Sequence, residues 1–303
     1  MNRRTLLQSM AAAGVALTGL GSAAANSLIR KTIPSSGETL PAVGLGSWQR
    51  FDVGPGDQAG REACTEIMRN FLRLGGGMVD SSPMYGHAQD VIGHTLGEIG
   101  ETPTLFSATK VWTSGRDEGI RQMEEALRLW RLERFDLLQV HNLVDWQTHL
   151  QWLDIWKQEG RVRYTGITTS HGSRHGQVED LLKQETFDFV QFTYSITSRE
   201  AEQRLLPAAN DNAKAVIINR AFEGGNLFRQ VAGKPLPDFA AEIDCESWAQ
   251  YFLKFVISHP AVTCVIPATS KMRHLEDNMA AMTGRLPDAG QRTEMVRYFE
   301  SIT

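Results

Sequence analysis

Residues 105–141 read LFSATKVWTSGRDEGIRQMEEALRLWRLERFDLLQVH. A short β-rich run, Leu105–Thr109, leads into a stretch where Ile120, Met123, Leu127 and Trp130 return at helical spacing. A second β-rich run, Asp136–His141, follows. Strand, helix and strand in this order form a crossover unit whose strands lie parallel in one sheet. The alternation extends both ways. Strands are expected at Ala42–Ser47, Met78–Ser81, Leu105–Thr109, Asp136–His141, Tyr164–Thr168, Asp188–Phe192, Ala215–Asn219 and Thr263–Pro267. Cys64, Ile67, Met68 and Phe71 carry the helical period between the first two, and Trp248, Phe252 and Phe255 before the last. Thr197 with Glu200 reads as a capping box ahead of a helix near Glu200–Ala209. Eight strands, about eight helices and no linker predict an α/β fold of one domain, a closed (β/α)8 TIM barrel. An open doubly wound sheet is disfavoured. Gly44-Leu45-Gly46 lacks the third glycine of a dinucleotide fingerprint, because position 49 is Gln. Gly75-Gly76-Gly77 reads as a turn feeding the second strand.

A chain of 303 residues, 42% hydrophobic and 22% charged, suits one such barrel. A net charge of −4 without a basic block gives no support to nucleic-acid binding. Cys64, Cys245 and Cys264 lack metal-ligand spacing, and each is expected to be an ordinary buried thiol. Residues 1–25 differ from the rest. Arg3-Arg4 precede an apolar, Ala-rich run from Met10 to Leu20, and Ala23-Ala24-Ala25 offers a cleavage pattern before Asn26. This reads as a twin-arginine signal peptide. The run is too short for stable membrane insertion. The expected partner is therefore the twin-arginine export machinery and the expected location the periplasm, or the cytoplasm if the signal is not used. Residues 26–303 form the barrel.

In barrels of this kind the chemistry sits at the C-terminal ends of the strands. The second strand ends in Asp80, the third in Lys110 and the fourth in His141, with Tyr85 on the loop after Asp80. Reducing a carbonyl needs a hydride and a proton. Free tyrosine titrates at about 10, so it is a poor acid at neutral pH until a nearby ammonium stabilises its phenolate. Lys110 can be that ammonium, Asp80 can keep it charged and in place, and His141 can hydrogen-bond the carbonyl oxygen. Taken singly, each has an ordinary alternative: a rim salt bridge for Asp80 and Lys110, a loop aromatic for Tyr85, a satisfied rim histidine for His141. A metal-dependent hydrolase would need clustered His and acidic ligands, and only His141 and Asp80 qualify.

These pieces resemble the aldo-keto reductase family. The likeness runs from about Ile33 to Asn278. It rests on Leu40-Pro41-Ala42-Val43-Gly44-Leu45-Gly46-Ser47-Trp48, on Asp80-Ser81-Ser82-Pro83-Met84-Tyr85-Gly86, and on the Lys110 and His141 strand ends. Gln191 and Ile266-Pro267-Ala268-Thr269-Ser270, leading to Asn278, complete it. The resemblance implies a catalytic tetrad of Asp80, Tyr85, Lys110 and His141. It also implies a small-molecule carbonyl substrate and hydride transfer from NADPH, with NADH open, and neither metal nor flavin.

The implied cofactor set is Thr168, Gln191, Arg220, Ser270, Lys271 and Asn278. Here the chain departs from the family pattern. Thr169 stands where an Asn is usual, and Asn219-Arg220-Ala221-Phe222 replaces a stacking aromatic. Ala268 and His274 replace the usual phosphate-gripping Lys and Arg. Arg220 can stack on the nicotinamide or lie salt-bridged at the surface. Ser270 and Lys271 can hold phosphate at a helix start, or Lys271 can be a solvated charge. Trp48, Trp112 and Trp146 follow strand ends and can wall a substrate pocket or merely cover the rim. A second function stands beside the reductase: the same barrel as a cofactor-holding sensor or partner subunit with little turnover.

Overall fold

The computed structural model describes residues 27–170 and 172–303, and the signal read at residues 1–25 lies outside them. The chain runs β1 (Arg30–Thr32), β2 (Thr39–Pro41), β3 (Leu45–Gly46), α1 (Gln58–Arg73), β4 (Met78–Asp80), α2 (Ala88–Ile99), β5 (Phe106–Val111), α3 (Arg116–Trp130), β6 (Phe135–Val140), α4 (Trp146–Gln158) and β7 (Val162–Thr168). It continues α5 (His175–Gln184), β8 (Phe189–Thr193), α6 (Glu200–Gln203), α7 (Leu205–Asp211), β9 (Ala215–Asn219), α8 (Asn226–Gln230), α9 (Trp248–Ile257), β10 (Cys264–Val265), α10 (Met272–Ala280) and α11 (Ala289–Ile302). Strands β3 to β10 lie side by side in chain order, all parallel. The two edges meet: Val43 bridges Val265, Gly46 bridges Ala268, and Gly44 N donates to Val265 O (2.8 Å). The result is the expected (β/α)8 barrel.

The seam strands β3 and β10 are shorter than expected, and their sequence shows why. A Cβ on Gly46 would lie 2.7 Å from the Ile266 carbonyl oxygen across the seam, and one on Gly44 3.1 Å from the Ile266 side chain. These glycines let the seam close by near backbone approach, which is a packing role.

Period-two alternation sorts the barrel's side chains. Met78, Phe106, Ala108, Leu137, Tyr164, Phe189, Ala215, Ile217, Cys264 and Ile266 fill the interior. Val79, Val111, Leu138, Val140, Ile167, Val190, Phe192, Val216, Ile218 and Val265 face out and join the larger core under the helices. The helices bury the predicted stripes: Cys64, Ile67, Met68 and Phe71 on α1, Met123, Leu127 and Trp130 on α3. All three cysteines are free and buried.

Two features depart from the sequence expectation. An antiparallel hairpin, β1–β2, lies across the N-terminal end of the barrel, adding Ile33 and Leu40 to its interior. Glu38 on its turn pairs with Arg163, accepts from the Tyr164 hydroxyl (2.7 Å), and so joins Asp136, which Arg163 also reaches (2.8 Å). Three-residue strands carry no readable period. The capping box is also absent. Ser195, not Thr197, receives the N–H groups of Thr197 (3.2 Å) and Ser198 (2.9 Å), and the expected helix breaks at Arg204 into α6 and α7. Pro207 explains the break: it has no N–H and its ring excludes a helical carbonyl four residues back.

Candidate active site

Where the alternation reaches the C-terminal mouth, the inward positions turn from apolar to polar. Met78 is followed by Asp80 on β4, Ala108 by Lys110 on β5, and Leu137 by Gln139 on β6 and then by His141 just past its end. Lys110 is wholly buried, and a buried ammonium stays charged only when paired. Its Nζ donates to Asp80 Oδ2 (2.5 Å) and Ser81 O (2.8 Å). Asp80 Oδ1 accepts from Gln139 Nε2 (3.3 Å) and Gln191 Nε2 (3.2 Å). Burial pushes the Lys110 ammonium below its ordinary value, and the Asp80 carboxylate opposes that shift.

Tyr85 sits in the loop after β4. Gly86 takes φ +57°, a Cβ there would collide with the Asp52 carboxylate, and His87 N donates to that carboxylate (2.8 Å). This anchors the loop and sets the Tyr85 ring 5.4 Å from Lys110 Nζ and edge-on to His141 at 5.9 Å between centroids. Burial, and then the Asp80 carboxylate, push the Tyr85 phenol well above its usual value. Burial and Asp80 thus outweigh the lowering expected from Lys110, and the net shift is upward. Lys110 is committed to Asp80 and Ser81, and Tyr85 is a protonated phenol at neutral pH. His141 is 3% exposed, with Nδ1 2.8 Å from Ser82 Oγ. Burial, with the Lys110 charge second, pulls it down to about 3, so its ring is neutral.

The cofactor candidates line the other side of the mouth. Thr168 ends β7, and its Oγ1 accepts from Asn142 N (3.4 Å). Thr169 is 2% exposed, and its hydroxyl has no partner among the described residues. Gln191 is engaged with Asp80. Asn219 donates to Thr169 O (2.8 Å) and accepts from Thr193 Oγ1 (2.8 Å), an anchored amide that sequence reasoning passed over. Its signal was a polar residue closing the apolar run Ala215–Ile218. Arg220 takes φ +56° and is half-buried. Its guanidinium makes no hydrogen bond or ion pair among the described residues, so the salt-bridged alternative is not realised.

Ser270 and Lys271 are exposed before α10, but the hydroxyl that accepts from Lys271 N is that of Thr269 (3.1 Å). Partial burial and the Arg273 and Lys271 charges hold His274 below its ordinary value, and Arg50 adds to them. The Arg273, Lys271 and Arg50 charges thus all act on His274, with Asp277 opposing them. Asn278 on α10 is buried. Trp48 and Trp112 stand 45% and 40% exposed, Trp112 with its ring 6.3 Å from His141. Trp146 instead opens α4 and packs against the outer core. An orphaned buried hydroxyl and an unpaired guanidinium are groups that a polar ligand would satisfy, and they fit a nicotinamide cofactor.

Comparison with known proteins agrees with this architecture. The aldo/keto reductase family model matches residues 42–292. The chain is 25% identical over 230 residues to aldo-keto reductase YhdN of Bacillus subtilis, covering 70% of this chain and 66% of that protein. It is 26% identical over 224 residues to the NADH-specific methylglyoxal reductase of Escherichia coli, covering 62% and 66%. The match thus spans just under two thirds of either relative's own length. Among solved structures, an aldo/keto reductase from Klebsiella pneumoniae in complex with NADP and acetate superposes with a TM-score of 0.74 at 21% identity, covering 89% of this chain and 96% of that one. The holo form of an aldo-keto reductase from Bacillus halodurans gives 0.73 at 19%, covering 90% and 96%. With the family model spanning most of its length, this chain belongs to the aldo/keto reductase family.

Proposed function

We propose that this protein reduces an aldehyde or ketone with NAD(P)H, with Tyr85 giving the proton to the carbonyl oxygen. The observation that carries this reading is the convergence of Tyr85, Lys110 and His141 at one mouth, with Lys110 fixed by a 2.5 Å contact to Asp80. When bound, the reduced nicotinamide supplies the hydride. Tyr85 is held protonated by burial and releases its proton only as negative charge builds on the substrate oxygen. Lys110, beside the ring, stabilises the phenolate left behind. His141, neutral, orients the carbonyl by a hydrogen bond.

Thr168, Thr169, Gln191 and Asn219 would hold the carboxamide side of the cofactor. Arg220 would stack on it, Asn278 would meet the adenine, and Ser270 with Arg50, Lys271 and Arg273 would take phosphate. Those cations favour NADPH over NADH. Family membership does not choose between them, since one relative is named NADH-specific and one solved structure holds NADP. The exposed Trp48 and Trp112 suit a bulky apolar carbonyl. Titration with NADPH and NADH, followed by reduced-nicotinamide absorbance against a panel of aldehydes and ketones, tests the reading. Carbonyl-dependent oxidation, with NADPH bound more tightly, is expected. Tight binding without oxidation of any carbonyl would instead mean a cofactor-holding subunit.

We also propose export by the twin-arginine route, supported by Arg3-Arg4, the apolar run and Ala23-Ala24-Ala25. Replacing both arginines by lysine should trap the full chain in the cytoplasm. Unchanged fractionation would contradict the proposal.

A further inference from the structure

The reductase reading asks His141 to donate a hydrogen bond, and a neutral imidazole does so from only one nitrogen. Ser82 decides which. Its Oγ is wholly buried and has two neighbours among the described residues: His141 Nδ1 at 2.8 Å and the Met84 N–H at 3.3 Å. The Met84 N–H can only donate, so it occupies one lone pair of Ser82 Oγ. If Nδ1 also carried a proton, Ser82 would accept twice and its own O–H would be buried with no acceptor. An unsatisfied buried donor is destabilising. If Ser82 donates to Nδ1, every group in the chain Met84 N–H, Ser82 O–H, His141 Nδ1 is satisfied. Turning the imidazole over would set a C–H against Ser82 Oγ and lose the bond.

We infer that Ser82 is a positioning residue that locks His141 in its Nε2–H tautomer, leaving Nε2, which bonds no described residue, as the donor to the substrate carbonyl. The role rests on the reductase reading for its consequence but not for its existence, because the tautomer belongs to the free protein. It also separates two functions that histidine often combines. A neutral Nε2–H orients the carbonyl oxygen, and Tyr85 remains the proton source.

The test is two-bond 1H–15N correlation on histidine-labelled protein at neutral pH. The His141 signals are assigned by their loss in His141→Gln. The wild type is expected to show an unprotonated Nδ1 and a protonated Nε2. In Ser82→Ala the Nδ1–H form should become populated, carbonyl-reduction kcat should fall about tenfold, and cofactor affinity should stay within about twofold. Ser82→Thr, which keeps the hydroxyl, should restore the wild-type spectrum. A protonated Nδ1 in the wild type, or a Ser82→Ala spectrum identical to wild type, overturns the inference. A wild type with the predicted spectrum but no turnover upholds the lock and overturns the reductase reading.

Discussion

The Asp80–Lys110 pair is an ion pair shut off from solvent, and it makes the sharpest stability forecast at the scale of single residues. Lys110→Met leaves the Asp80 carboxylate buried, with only Gln139 and Gln191 to bond it. Removing one partner of such a pair costs about 3–5 kcal/mol. In urea unfolding the single variant should lose that much. Asp80→Asn combined with Lys110→Met should recover most of it, because no charge is left stranded. A single variant within about 1 kcal/mol of wild type would mean the pair is better solvated than its burial indicates. The four residues of this site were legible in the sequence because each ends or follows an apolar strand, where an ionisable group needs a reason. Ser82 and Gln139 were not read out. A serine in a loop looks ordinary, and Gln139 becomes notable only once the pleat turns it toward Asp80. The direction of the Tyr85 shift also depended on packing, since burial outweighs a cation already paired with Asp80.

At the scale of elements, helix spacing was the reliable signal and strand ends the weak one. The stripe on α1 is buried as read, and on α3 Met123, Leu127 and Trp130 are buried while Ile120 is half-buried against them, because a helix under solvent must show one apolar face. The seam strands and the β1–β2 hairpin escaped because two or three residues cannot display a period. The α6–α7 break lay in Pro207, which a capping motif upstream could not override. The packing of α2 on α3 yields a paired prediction. A Cβ at Gly93 would lie 1.7 Å from the Leu129 carbonyl oxygen, whereas one at Gly97 would meet only the end of the Arg131 side chain. Gly93→Ala should therefore lower stability by about 3 kcal/mol, and Gly97→Ala should be neutral or stabilise by up to about 1 kcal/mol. Equal melting temperatures for the two variants would show that α2 shifts freely on α3.

Across the whole molecule, the buried His141 and the half-buried His259 contribute to the response to acid. Burial holds His141 down to about 3 and His259 down to about 4. The unfolded chain takes up these protons at about 6.5. Below that value the unfolded state binds more protons, so stability falls from about pH 6.5 down toward the folded-state values, where the loss levels off. The melting temperature should drop between pH 7 and pH 5, and less steeply in a variant carrying His141→Gln and His259→Gln. An equal drop in both would assign the acid response to other groups. The proposed function is a barrel mouth that reduces carbonyls with Tyr85 as the proton donor, and one comparison bears on it most directly. That comparison is kcat for carbonyl reduction at saturating NADPH in wild type and Tyr85→Phe, with cofactor affinity measured alongside. A fall of about 100-fold or more with unchanged cofactor binding is the predicted result, and a Tyr85→Phe rate within a few-fold of wild type would contradict it.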